Sequence, residues 1–499
     1  TVDQVLSGPD LGIAAGFADT LIADIGGRQV LYALNRAEGT LLEFSVDPVT
    51  GALSLAATLP LAGNFAVGST PRLSLVDDRL AIAGLDPASG AFVTLTATGG
   101  LVAQVSDPAP GTLVAPEAVT IGALPGLVTG EPGGVALYDV TGGGYAFAAA
   151  LADAPDRYLA DVAASAPIPG SGGTLVAMAS ATENGVSMIR VEPAGTLSLA
   201  SSFGVTEGLP VSAPTDLAAL AHKGATHLIL GSSGTSSLSV LSVDGAGGMA
   251  LRDHILDSTT TRFQSVTSVD AVTVGDVAFI AAGGGDGGIS LFTLLPNGRL
   301  IHLATIADTA TTTLYRVSSV SLMSTGTSLS ITVTSQWEAG ITRLGYDLSN
   351  LGAVLVADAG DPLTGTSGDD QIVGSNLPDT ITGGEGDDIL YDGAGLDDLF
   401  GGAGADLFVL AADGVADRVL GYEKGQDRLD LSAFDFLSDV SQLTVTPTAT
   451  GAILTFGDEI IEITSADATP LSEADFTNAD ILNLDRPSFL PIHQTLTGG

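Results

Sequence analysis

Through roughly the first 355 residues, apolar positions come in short alternating runs punctuated by Gly, Pro, Asn and Asp, the pattern of strands joined by tight turns. One hairpin recurs. FSVDPVTGAL ends at Leu53, FVTLTATGGL at Leu101, VALYDVTGGGY at Tyr145, MIRVEPAGTL at Leu197, VLSVDGAGGM at Met249, FTLLPNGRL at Leu300 and LGYDLSNLG at Gly352. Each supplies an alternating strand, a turn, and the first residue of a return strand. Upstream lies a more uniformly apolar strand, such as LAIAGLD from Leu80, TLVAMAS from Thr174, HLILGSS from His227 or VAFIAAGG from Val277. Before that comes a strand of small residues: DVAAS from Asp161, DLAAL from Asp216, SVDAV from Ser268. The turns recur every roughly 43 to 54 residues, the period of a four-stranded propeller blade. Seven copies predict seven blades, with the small-residue strands at the crowded axis.

From Gly365 to Val409 the period shortens to nine residues, in the rows GTSGDDQIV, GSNLPDTIT, GGEGDDILY, DGAGLDDLF and GGAGADLFV. Six residues of each row suit a glycine-permitted turn and three a very short strand. Ile372, Ile381, Leu390, Leu399 and Phe408 then share one apolar seam. Asp370, Asp379, Asp388, Asp397 and Asp406 fall at one place in every turn, where carboxylates and turn carbonyls can build the all-oxygen cage that Ca²⁺ prefers. The rows resemble the RTX calcium-binding repeat, Gly-Gly-x-Gly-x-Asp-x-U-x with U large and apolar. That resemblance implies a parallel β-roll with successive turns on alternate sides, pairing rows one with three, three with five and two with four. It also implies Ca²⁺ held by these five aspartates, with turn carbonyls of Gly365, Gly368, Gly383, Gly386, Gly395, Gly401 and Gly404. Row two departs from the pattern, with Leu377 in place of glycine and Pro378 after it.

The expected class is all-β: a seven-bladed propeller over 1–357, a linker at 358–364, the roll at 365–409, a cap at 410–486, and a tail at 487–499 that resembles the start of a further row. DRVLGYEKGQDRLDLSAFDF, after the rows, resembles the capping segment of secreted RTX proteins, and LTVTPTATGAILTFGDEIIEI reads as three short strands. The first blade, VLYALNRAEGTLLEFSVDPVTGALSLAATL, resembles lactonase-like propellers related to 6-phosphogluconolactonase. The resemblance carries the blade rhythm and no catalytic motif.

Charge narrows the partners. The formal net charge is -41, so nucleic acid and anionic membrane surfaces would repel the chain. No Lys or Arg occurs between Arg343 and Arg418, which marks the repeat block as a cation site. There is no cysteine, so disulfides and thiolate sites are excluded. Apolar runs break well before the ~18 residues of a membrane span, and TVDQVLSGPD is no signal peptide. RTX resemblance implies export by a type I system and an extracellular or cell-surface location; the chain is expected to be a fragment at both ends.

G-x-S-x-G, H-E-x-x-H and P-loop motifs are missing, leaving serine hydrolase, zincin and nucleotide chemistry without their signatures. The five histidines, His222, His227, His254, His302 and His493, are scattered. Asp161, Asp216 and Asp270 are expected at the axis, bonding the backbone of neighbouring strands rather than an ion. Trp337 is expected to pack between blades rather than to stack on a sugar. The expected protein is a secreted calcium-binding RTX protein whose propeller binds a cell-surface or matrix glycan or protein. A lactonase-like or phosphoesterase-like hydrolase is the alternative.

Overall fold

The computed structural model describes residues 1–66, 70–76, 79–85, 92–105, 113–141, 144–358, 360, 362–481, 484 and 486. The tail at 487–499 with His493, and Ala359 and Asp361 of the expected linker, lie outside the described residues. The chain divides into two compact units, Thr1–Ser349 and Asn350–Gly499.

The first unit is a seven-bladed propeller of four-stranded antiparallel sheets. Blade one runs Asp19–Ile25, Arg28–Asn35, Thr40–Val46 and Leu53–Pro60 from axis to rim. The uniformly apolar second strands follow from blade packing. Along Arg28–Asn35, Leu31 and Ala33 face a wedge shared with Met323 and Ile341 of blade seven. Their neighbours Val30, Tyr32 and Leu34 face Leu80, Ile82 and Val93 of blade two. A strand covered on both faces has no polar side to show, so its alternation disappears.

Six of the seven expected hairpins join the third and fourth strands of blades one to six. The seventh is a correction. The rim strand of blade seven is Val2–Ser7, which pairs antiparallel with Gly340–Asp347 and closes the ring with the chain's own beginning. With that slot filled, Leu351–Val356 instead pairs in parallel with Asp369–Val373, aligning Leu355 with Ile372. The change of unit therefore falls at Ser349/Asn350, ahead of the expected boundary at 357. Leu363–Thr364, expected in the linker, is likewise a roll strand, pairing with Thr380–Glu385.

The second unit is a parallel β-roll over residues 351–430 followed by a cap. Rows one, three and five pair on one side, with Ile372 beside Leu390 and Leu390 beside Phe408. Rows two and four pair on the other, with Ile381 beside Leu399. The five seam residues are fully buried and continue into one core with Val419, Tyr422, Leu429, Phe434 and Ile463 of the cap. The cap strands Thr444–Pro447, Gly451–Phe456 and Glu459–Ser465 extend one face of the roll, Glu459–Ser465 pairing in parallel with Ala416–Tyr422. Among the described residues no helix is long and apolar enough to cross a membrane.

The ring's seam generates a stability prediction. Gln4 Nε2 donates to Leu53 O at 2.9 Å, and Leu53 N donates to Gln4 Oε1 at 2.8 Å, tying the closing strand to blade one. Gln4→Ala orphans both backbone groups of buried Leu53 and should cost about 1–3 kcal/mol, read as a lower denaturation midpoint of the propeller with an unchanged slope.

Candidate functional site

At the propeller axis a cavity of ≈ 330 Å³ is lined by inner-strand side chains, among them Asp19, Glu117, Asp216 and Asp270, and by Arg72. The inner strands are sheet edges whose outward N–H groups need partners. Asp19 Oδ2 accepts from Leu73 N at 2.7 Å, Asp216 Oδ2 from Val269 N at 2.9 Å, and Asp270 Oδ2 from Leu322 N at 2.7 Å. Each carboxylate thus holds the next blade's inner strand. The expected backbone role is found at Asp216 and Asp270. Asp161 is a correction: it is exposed, outside the cavity lining, and precedes its strand, Val162–Pro167.

Arg72 crosses the axis. Its Nη1 lies 3.7 Å from Asp19 and its Nη2 3.2 Å from Asp216, and Nη2 also donates to the carbonyls of Thr215 and Thr267 at 3.3 and 3.4 Å. Burial pushes the Asp19 carboxyl up to about 6 even beside this guanidinium. Asp270 rises to about 7 through burial, as does Glu117, which accepts from Ser165 Oγ at 2.8 Å. Arg72 also lines a wider cavity of ≈ 650 Å³ with Phe17, Arg36, Thr215 and Gln336. Sequence patterns miss Arg72 and Asp19, since neither sits in a motif. Trp337 is a further correction: it is 67% exposed, with the Arg316 guanidinium 4.9 Å from its ring centroid, so it does not pack between blades.

In the roll the row aspartates form two ladders, one on each side. On the first, Asp370 N donates to Asp388 Oδ1 at 2.8 Å and Asp388 N to Asp406 Oδ1 at 3.0 Å. On the second, Asp379 N donates to Asp397 Oδ1 at 2.7 Å. The ladder consumes one oxygen each of Asp388, Asp397 and Asp406, while Asp379 spends Oδ2 on Ser375 N at 2.6 Å. The other, Oδ2 of Asp388, Asp397 and Asp406, is buried without a hydrogen-bond partner, as is Oδ1 of Asp379. Asp370 instead spends Oδ2 on Thr366 N at 2.5 Å. Burial pushes Asp388 up to about 8, with Asp406 and Asp370 adding repulsion, and Asp397 and Asp406 up to about 6.

The glycines of the first side enclose the orphaned oxygens. A Cβ on Gly383 would collide with Asp388 Oδ2 and meet Gly401 O at 2.5 Å; one on Gly401 would collide with Asp406 Oδ2, and one on Gly365 with Asp370 Oδ2 and Gly383 O. Gly368, Gly386 and Gly404 stack in the same turns, closely enough that a Cβ on either of the last two would run into the preceding glycine. Buried carboxylate oxygens and carbonyls around a space reserved by glycine fit a hard divalent cation. The second side brings together Asp379, Asp397 and Gly395, the last stacked on Leu377 and Pro378.

Both ladders run past the rows. Asp406 N donates to Asp427 Oδ1 and Asp397 N to Asp417 Oδ1, each at 3.1 Å, across 21 and 20 residues where the repeat spacing is 18. These two aspartates lie in the expected cap. Their signal was the Asp itself, hidden by insertions that break the nine-residue register.

The geometry defines a calcium-binding repeat roll joined to a seven-bladed propeller. Residues 373–408 match the RTX calcium-binding nonapeptide repeat, in four copies, so these residues are RTX repeats and Ca²⁺ is their cofactor. No curated protein matches the chain. Among solved structures, one similar chain is the periplasmic gluconolactonase of Pseudomonas aeruginosa, at 15% identity and TM-score 0.45, covering 58% of this chain and 85% of that one. A functionally unknown protein from Desulfotomaculum acetoxidans gives 13% identity and TM-score 0.43, covering 60% and 90%. A Lactobacillus plantarum protein gives 13% and 0.42, covering 66% and 99%.

Two outcomes follow. Arg72→Met leaves Asp19 and Asp216 buried without their cation and should destabilise the propeller by about 3–5 kcal/mol; adding Asp19→Asn and Asp216→Asn should recover most of that loss in chemical denaturation. Gly401→Ala, at a backbone conformation open to alanine, should raise the calcium midpoint of roll folding several-fold in a titration followed by circular dichroism.

Proposed function

We propose that this is an extracellular protein whose roll folds on meeting calcium outside the cell and whose propeller is a binding module for a cell-surface or matrix glycan or protein. The observation that carries the calcium half is the set of buried, unpartnered carboxylate oxygens along the two ladders. Asp388 and Asp406 of the first side, and Asp370 at its open end, serve as ligands with the carbonyls of Gly365, Gly368, Gly383, Gly386, Gly401 and Gly404. Asp379 and Asp397 serve on the second, with Gly395. Without a cation these groups repel, and one seam residue per row does not offset the chain entropy. Because calcium binds the folded form, its binding free energy is folding free energy. Extracellular calcium modules work at roughly 0.1–1 mM, so the segment stays unfolded in a cytosol and is fit for a type I exporter.

For the propeller, the supporting features are the ≈ 650 Å³ cavity and the exposed Trp337 with Arg316 on its face, an arrangement suited to stacking on a sugar ring. The hydrolase alternative would draw on Glu117 and Asp270, whose raised values near 7 suit proton transfer. A glycan array probed with the full chain in calcium separates the two: retention lost in Trp337→Ala supports binding, whereas lactone turnover lost in Asp270→Asn with no retained glycan supports the enzyme.

Chelation should melt residues 365–409 and loosen the cap through about Phe476 while the propeller stays folded. Hydrogen exchange by mass spectrometry with and without chelator checks this, and equal protection of the repeat peptides in both conditions would sink the calcium-driven reading.

A further inference from the structure

Row four is the one row that opens with a side chain. Asp392 stands where Gly365, Gly374, Gly383 and Gly401 open the others. It is 1% exposed, and with Asp397 at 0% and Asp417 at 4% it forms a buried cluster in which one carboxylate oxygen from each residue lies within 4.8 Å of the other two. Asp392 comes from the turn of row four, Asp397 from the end of that turn, and Asp417 from the strand Ala416–Tyr422 beyond the repeats. All three are held in place by backbone: Asp392 Oδ1 accepts from Gly393 N at 2.7 Å and Ala411 N at 2.9 Å, Asp397 Oδ1 from Asp379 N at 2.7 Å, and Asp417 Oδ1 from Asp397 N. Independently of the clustering, Asp397 Oδ2 is buried with no partner.

Among the described residues no Lys or Arg is ion-paired with these three carboxylates. The nearest basic residue in sequence, Arg418, is engaged with Asp398 at 2.5 Å, and none precedes it back to Arg343. We propose that Asp392, Asp397 and Asp417 hold a calcium ion at a site of different composition from those of the repeats, one that clamps the second side of the roll to the cap. The inference rests on the reading that the rows take calcium. It departs from the repeat pattern in two respects. A carboxylate replaces the glycine whose place the other rows leave open, and one ligand belongs to no row. Three carboxylates on one ion give this site the highest ligand charge in the roll, so it fills at lower calcium than the repeat sites. The cap then becomes calcium-dependent through a ligand of its own rather than only through the seam it covers.

The competing role for Asp392 is a plug: a side chain at this position fills the cradle and keeps calcium out. The two roles predict opposite signs for Asp392→Gly, which restores the residue that the four other rows carry. Bound calcium per full chain is measured by equilibrium dialysis and elemental analysis, alongside chelator-dependent hydrogen exchange of peptides from 410–430. The expected result is one calcium fewer, with those peptides requiring at least tenfold more calcium for protection while peptides of rows one, three and five are unchanged. Asp417→Asn, which keeps the acceptor for Asp397 N, should weaken the same site equally and controls for misfolding at row four. One calcium more, or no change in count, in Asp392→Gly overturns the clamp. Asp388→Asn tells the two levels apart: if it reduces calcium binding while Asp392→Gly does not, the repeats bind calcium and only the clamp fails. If the unmodified chain binds no calcium, both fail.

Discussion

The constraint on which the second unit depends is electrostatic: aspartates stacked along two ladders, buried and without a basic residue among them. A β-roll of this width has one seam residue per row to set against both chain entropy and carboxylate repulsion. The ladder hydrogen bonds satisfy one oxygen of Asp388, Asp397 and Asp406 and leave the other without a protein partner. On the proposed calcium-driven reading, folding and ligation in this unit are one event. The acidity of the block is the structural counterpart of its thin hydrophobic seam.

In the propeller buried aspartates serve the backbone. Its inner strands are edges facing a narrow axis, and Asp19, Asp216 and Asp270 accept the N–H groups that would otherwise be stranded there. Burying those carboxylates is costly, and Arg72 offsets part of that cost for Asp19 and Asp216 but not for Asp270. The same residue type thus ties strands together in both units; the difference is that Asp388, Asp397 and Asp406 of the roll keep a second, buried oxygen without a partner.

Much of this was legible in sequence because both units are periodic. The nine-residue register places Asp370, Asp388 and Asp406 on one ladder and Asp379 and Asp397 on the other, as the rows imply. Legibility ended where the register did. Asp417 and Asp427 continue the ladders across longer spacings. Asp161 looks equivalent to Asp216 in DVAAS and DLAAL, yet the register aligns Val162 with Ser180 and Pro214 with Ser232, so it is Ala164, paired with Ala179, that occupies the place of Asp216, paired with Gly231. The seventh blade could not be completed from its own neighbourhood, because its rim strand comes from the opposite end of the chain. Trp337 shows the limit of residue type as a guide: a large ring ordinarily packs, and here it lies open under an arginine.

That rim strand also sets a clock. Among the propeller's strands Val2–Ser7 is made first and can pair only last, since its partner, Gly340–Asp347, is some 340 residues downstream. At about 5–20 residues per second, the first strand waits on the order of 17–70 s for the segment that receives it. For that interval the growing propeller is an open arc with an unpaired edge at each end, and an open edge is a template for another chain. Ring closure is therefore a race between the two ends of one molecule and the ends of its neighbours, decided by local concentration rather than by the stability of the finished ring.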